Sequence, residues 1–146
     1  MTVEEKAEVD PTAPQLVVEQ VTATAGDTVT VDVKFVNNPG FGGMAYDVGY
    51  DNSVLELVSY ELGLGSNICT DSGVDTYANK VNFQYASTSN VTGDGTLVTF
   101  TFKVKDTAEV GKTAISVKPT AGTVFRYEGR TEIDYTLAAV DGGAGV

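Results

Sequence analysis

The chain contains one cysteine, Cys69, and no histidine. Nucleophilic catalysis by Ser-His-Asp or Cys-His arrangements is therefore excluded, as are histidine-based zinc sites and any internal disulfide. With no histidine base to activate it, Cys69 reads as a small packed hydrophobe, like most unpaired cysteines. Twenty acidic residues remain. A glycosidase would need two carboxyl groups facing each other across a cleft. Most carboxylates of a globular chain are solvated surface, however, so a non-enzymatic reading is favoured.

Two acidic clusters invite a calcium reading, "DNSVLE" at 51–56 and "DSGVD" at 71–75. Neither has the Asp-x-Asp-x-Asp-Gly spacing with a distant Glu that wraps oxygens around one ion, and both are read as turns. "TGDG" at 92–95 is a turn as well, because a phosphate cradle would lead into a helix and a strand pattern follows instead. No cofactor or metal is expected in this domain. What remains is recognition by surface.

Nine basic residues against twenty acidic ones leave a net charge of −11. Such a field repels phosphate backbones and anionic lipid, which argues against nucleic acid and membrane and favours a partner with a basic patch. No apolar run approaches the roughly 18 residues of a membrane span. At 146 residues with 42% hydrophobic content, one domain is expected, burying roughly 68–70% of the surface its unfolded chain exposes. The lead-in "TVEEKAEVDPTAP" lacks the charged start and apolar core of a signal peptide. Residues 1–13 read as an acidic linker, residues 14–146 as the domain, and an exported chain would be a mature or excised piece.

The elements that must hold any binding surface are strands, since from Pro14 onward the pattern has period two. "QLVVEQVTA" is one strand, and "DTVTVDVKFVN" alternates Val29, Val31, Val33 and Phe35 against Thr30, Asp32 and Lys34. "SVLELVSYEL" offers Leu55, Leu57 and Val58 to the core. In "VDTYANKVNFQYA" a tight turn at Ala78-Asn79 sets Thr76 opposite Val81 and Val74 opposite Phe83 on one face. The other face then pairs Asp75 with Asn82, Tyr77 with Lys80 and Gly73 with Gln84. "TGDGTLVTFTFKVKD" points Val98, Phe100, Phe102 and Val104 inward and Thr99, Thr101 and Lys103 outward. "KTAISVKP", a short strand near Val124 and Phe125, a turn at Glu128-Gly129 and a strand from about Ile133 to Val140 complete roughly nine or ten strands. An all-β, two-sheet β-sandwich is the natural solution.

One segment is unusual. "PGFGGMAYDVGYD" at 39–51 alternates Met44, Tyr46, Val48 and Tyr50 against Gly43, Ala45, Asp47 and Gly49. Successive strand residues point to opposite faces, so one face is nearly bare. Glycine in a strand marks the close approach of another backbone or a ligand. The bare face is therefore either a seat for one of the protein's own loops or a docking surface. A carbohydrate platform is the alternative binding reading, but it needs a row of exposed rings. Among seven Tyr, six Phe and no Trp, only Tyr77 and Tyr127 look free to present one.

The segments "VTATAGDTVTVDVKFVNNPG", "GGMAYDVGYDNSVLELVS", "KVNFQYA" and "TGDGTLVTFTFKVK", in this order and spacing, resemble a cohesin domain of the short, type I form. The resemblance runs from about Leu16 to the end of the chain. It implies a jelly-roll sandwich of about nine strands on a non-catalytic scaffoldin, extracellular or attached to the cell surface in a bacterial cellulosome. The implied partner is a dockerin module that carries its own calcium, with the cohesin monomeric in its absence. The family's dockerin-binding face is formed largely by its eighth, third, sixth and fifth strands. Matched onto this sequence, the third strand is Gly43 to Tyr50, the fifth and sixth form the hairpin at Ala78-Asn79, and the eighth is Leu97 to Lys105. The implied contact residues are Gly43, Ala45, Asp47, Gly49, Asp75, Tyr77, Asn82, Gln84, Thr99, Thr101 and Lys103. Type I cohesins often carry an Asn and Asp pair where Gly43 and Ala45 stand, so this floor should recognise a dockerin more by shape and apolar contact. The charged segment "VFRYEGRTEIDY" has no assigned role.

Overall fold

Where the sequence alternates, the chain is extended. The structure, a computed structural model, describes residues 12–69 and 74–146. Among them are thirteen strand segments and no helix. The first seven are β1 (Gln15–Val18), β2 (Gln20–Thr22), β3 (Thr28–Val36), β4 (Phe41–Tyr50), β5 (Leu55–Leu62), β6 (Val74–Thr76) and β7 (Lys80–Val91). They are followed by β8 (Gly95–Val104), β9 (Lys112–Pro119), β10 (Phe125–Glu128), β11 (Thr131–Asp134), β12 (Ala138–Val140) and β13 (Gly142–Gly145). One sheet runs β12-β1-β3-β8-β5; the other runs β11-β10-β4-β9-β13-β2, with β7 beside β4 and β6 beside β7. The result is the expected two-sheet sandwich. The strand count exceeds nine because two runs are divided between sheets and because β10 and β11 form an additional hairpin.

Both divided runs lie at the chain ends. "QLVVEQVTA" breaks at Glu19, whose N–H donates to Asp32 in β3 while β2 leaves for the other sheet. The run expected from Ile133 to Val140 is two strands, β11 and β12, and the second divided run is β12 and β13, in different sheets. Next, the chain crosses at Asp141, so β12 lies parallel to β1 and β13 lies parallel to β2. Two backbones crossing side by side must come very close. A Cβ at Gly142 would collide with the Val18 and Glu19 carbonyls, 2.7 Å from the Val18 carbonyl carbon. The glycines of "GGAG" thus make a strand possible where propensity argues against one.

The core lies between the sheets. Val31, Val33 and Phe35 of β3, Met44, Tyr46 and Val48 of β4, Val81 and Phe83 of β7, and Val98, Phe100, Phe102 and Val104 of β8 are all buried. Phe83 meets Phe100 edge-on at 5.8 Å, tying the two sheets together, and Tyr46 stacks on Phe83 at 5.1 Å within its own sheet. Each such side chain contributes roughly 1.5–3 kcal/mol by leaving water. Cys69 is 1% exposed and belongs to this core. Val58 does not: a bulge between Leu57 and Ser59 turns it out to 54% exposure and turns Tyr60 and Leu62 inward. An inserted residue reverses strand phase, and the sequence pattern alone does not mark it.

The turns follow their local chemistry. Asp51 accepts from the Ser53 N–H and hydroxyl, closing the turn before β5. Asp94 accepts from the N–H groups of Asn37 and Asn38, which hold its carboxyl below its ordinary range. "TGDG" is therefore a clamp on the β3–β4 connection. Most of "DSGVD" lies outside the described residues.

Candidate functional site

The outward face of β4 is flanked by β7 on one side and by β9 and β10 on the other, with β9 along Tyr46–Tyr50 and β10 at Gly43. Register fixes what lies beside what. Asp75 of β6 is opposite Asn82 of β7, Asn82 is opposite Asp47 of β4, and Asp47 is opposite Lys118 of β9. This makes one polar row across four strands. In the next row Lys80 faces Gly49 and Gly49 faces Ser116; in the row on the other side Gln84 faces Ala45.

Asp47 is held within the row. Asn82 Nδ2 donates to its Oδ1 at 2.7 Å, and Lys80 Nζ lies 3.9 Å from its Oδ2. Gln84 Nε2 donates in turn to Asn82 Oδ1 at 3.1 Å. An exposed pair of this kind adds at most about 1 kcal/mol to stability, but the chain of hydrogen bonds fixes the carboxylate's direction. Tyr77 projects at the β6–β7 turn, 52% exposed, with the Lys80 ammonium 5.2 Å from its ring centre. The turn closes with the expected register, Tyr77 N–H donating to the Lys80 carbonyl. Asn37 is the one non-glycine residue with positive φ among the described residues, so Asn79 closes the turn without the left-handed conformation it tolerates. Gly73, expected opposite Gln84, lies outside the described residues.

The bare face of β4 changes character along the strand. At its start it is an internal seat: a Cβ on Gly43 would lie 2.7 Å from Phe125 Cζ, and one on Gly42 would lie 2.6 Å from Tyr127 Cδ2. The β10–β11 hairpin, whose role was open, is what rests there. Tyr127 is consequently not a free ring, since it covers Gly42 and its hydroxyl donates to the Ser87 carbonyl. From Ala45 to Gly49 no strand of the described residues covers the face, although Ala45 itself is only 9% exposed.

Gly43, Ala45, Asp47, Gly49, Asp75, Tyr77, Asn82 and Gln84 thus lie on one side of one sheet, with Gly43 beneath Phe125. Thr99, Thr101 and Lys103 do not join them. Their strand, β8, pairs with β3 and β5, so they face outward from the opposite sheet, where the Thr99 hydroxyl donates to Asp32. The strand beside β4 is β9, which brings Ser116 and Lys118 to the face. Both strands alternate in the same phase, and only pairing decides which sheet each enters. Lys80, Ser116, Lys118 and Phe125 were missed; the alternation of "KTAISVKP" marked the outward Ser116 and Lys118, but not their sheet.

The cohesin family pattern, described as "Cohesin domain", matches residues 14–145. The chain belongs to the cohesin family. It is 28% identical over 96% of its length to Cellulose-binding protein A of Clostridium cellulovorans and 32% identical over 74% to Cellulosomal-scaffolding protein B of Acetivibrio thermocellus. It spans 8% and 16% of those two proteins. Among solved structures, it resembles the sixth cohesin of Acetivibrio cellulolyticus scaffoldin B, determined in complex with a mutant Cel5 dockerin. The TM-score is 0.71 at 22% identity, covering 92% of this chain and 99% of that one.

Under the cohesin's polar row lies a buried brace. The hydroxyls of Tyr46 and Tyr85 are 2.9 Å apart and their rings stack at 5.8 Å, joining β4 to β7 from below. Burial pushes both phenols well above their ordinary pKa and pushes the Cys69 thiol up as well. A raised thiol pKa means little nucleophilic thiolate at neutral pH. Among the described residues no cluster of His, Cys, Asp and Glu could hold a metal ion, and no helix is long and apolar enough to cross a membrane.

Proposed function

We propose that this cohesin is a non-catalytic adaptor that captures a dockerin module on the β6-β7-β4-β9 face. It would thereby attach a cellulosomal enzyme or scaffold protein to a scaffoldin outside the cell or at its surface. The observation that carries this reading is the polar row from Asp75 to Lys118 on an otherwise small-residue floor. Its exposed charge is confined to a few positions that a partner could match. Family membership and the dockerin bound to the related cohesin support the same reading. Calcium belongs to the dockerin and none is needed here. A carbohydrate platform is disfavoured because Tyr77 is the one large aromatic among the strongly exposed hydrophobic side chains of the described residues.

Calorimetric titration against a panel of dockerins, with calcium and then with a chelator, tests this. One-to-one binding lost on chelation is expected, over a standard interface of roughly 1,600 Å². Gly49→Glu places a charged side chain in the centre of the face, where the added Cβ meets only the movable Ser116 Oγ at 2.8 Å and the Asn79 carbonyl at 3.9 Å. It should abolish docking with the fold intact; unchanged affinity would refute the assignment of the face.

A further inference from the structure

Next to the polar row the face does not continue flat. Between Phe125, the turn at Thr120–Thr123 and β7 lies an open depression of about 740 Å³. Ala45 and Ala86 line it beside the Phe125 ring, and Gln84, Asn67 and Thr123 supply hydrogen-bonding groups. Among the described residues no Asp, Glu, Lys or Arg lines it, in a chain of net charge −11. Asn82 and Gln84 belong both to this depression and to the row that holds Asp47. The depression is therefore continuous with the docking face.

We infer that this depression receives one bulky, uncharged side chain from a helical segment of the dockerin and acts as an anchor pocket that selects among dockerins. This rests on the dockerin reading above. A charged occupant would lose its hydration with no opposite charge to meet it, whereas an apolar body with a hydrogen-bonding tip matches both kinds of lining. The spacing also suits a helix. Ala45 is two residues along β4 from Asp47, roughly 7 Å at 3.4 Å per residue, and one helical turn advances about 5.4 Å. A dockerin residue over Asp47 and an anchor one turn away would reach both places together. Phe125, seated on Gly43, forms the end wall and limits how far the helix can extend along β4.

Ala86→Trp tests the pocket, because Ala86 is exposed, lines the depression and takes no part in the Asp47 row. With a dockerin that binds the wild-type domain, calorimetry should show affinity falling about 30-fold, the effect of losing one strong anchor, with the melting temperature unchanged. Truncating the dockerin's anchor to Ala should weaken binding to the wild type by a similar factor and add little against A86W. Affinity of A86W within about twofold of wild type, with Gly49→Glu still abolishing binding, would overturn the pocket and leave the docking face standing. Normal binding by both variants would overturn the face as well. A dimer in sedimentation velocity that A86W dissolves would make a second copy the occupant and overturn the dockerin anchor.

Discussion

Replacing Tyr46 and Tyr85 by Phe, singly and together, measures the brace beneath the proposed docking face. Tyr46 is fully buried and Tyr85 is 3% exposed, and their hydroxyls are 2.9 Å apart. Removing one phenol strands the other in the core, at about 1–3 kcal/mol. The two single variants should differ. Tyr85 retains the Cys69 thiol when Tyr46 is changed, which puts Tyr46→Phe nearer about 1–2 kcal/mol. Among the described residues Tyr46 has only Tyr85 as a hydrogen-bond partner, which puts Tyr85→Phe nearer about 2–3 kcal/mol. The double variant leaves neither hydroxyl stranded and should cost about 1 kcal/mol, well below the sum. At about 2–4 °C per kcal/mol for a chain of this size, calorimetric or circular-dichroism melting resolves all three. Additive losses would mean that the two phenols do not depend on each other, and the brace would be refuted.

The same burial sets an alkaline limit. Both phenols titrate well above 10 in the fold and near 10 in the unfolded chain, so their contribution is complete below pH 10 and lost as pH rises beyond it, by about 1.4 kcal/mol per pH unit for each tyrosine. Urea midpoints that stay constant from pH 9 to 11.5 would contradict this. Gly142→Ala should destabilise by about 1–3 kcal/mol or more, because its Cβ meets main-chain carbonyls that cannot move aside; a wild-type melting temperature would show that the chain ends do not cross this closely. Lys118→Glu should alter dockerin affinity measurably while Lys103→Glu leaves it within about twofold, since the two lysines lie on opposite sheets. The reverse result in the same titration would restore β8 to the docking face.

The sequence by itself determined the phase of the strands. Alternation in β3 and β8 separated core from surface because side chains of an extended chain point alternately to two faces, and those patterns hold in the fold, whereas β4 is buried on both faces from Phe41 to Tyr46. It also set the β6–β7 hairpin register, which a two-residue turn fixes locally. Tertiary structure decided everything that depended on which strand lies beside which. β8 and β9 alternate alike, yet only β9 pairs with β4, so Lys118 lies on the β4 face and Thr99, Thr101 and Lys103 do not. The bulge that turns Val58 outward and the crossing that makes a strand of "GGAG" arise from contacts between distant segments. Phe125 seats on Gly43 across a long stretch of chain. Local pattern records the direction of each side chain relative to its own strand, whereas strand order is a property of the whole sheet and sets the neighbours from which the face is built.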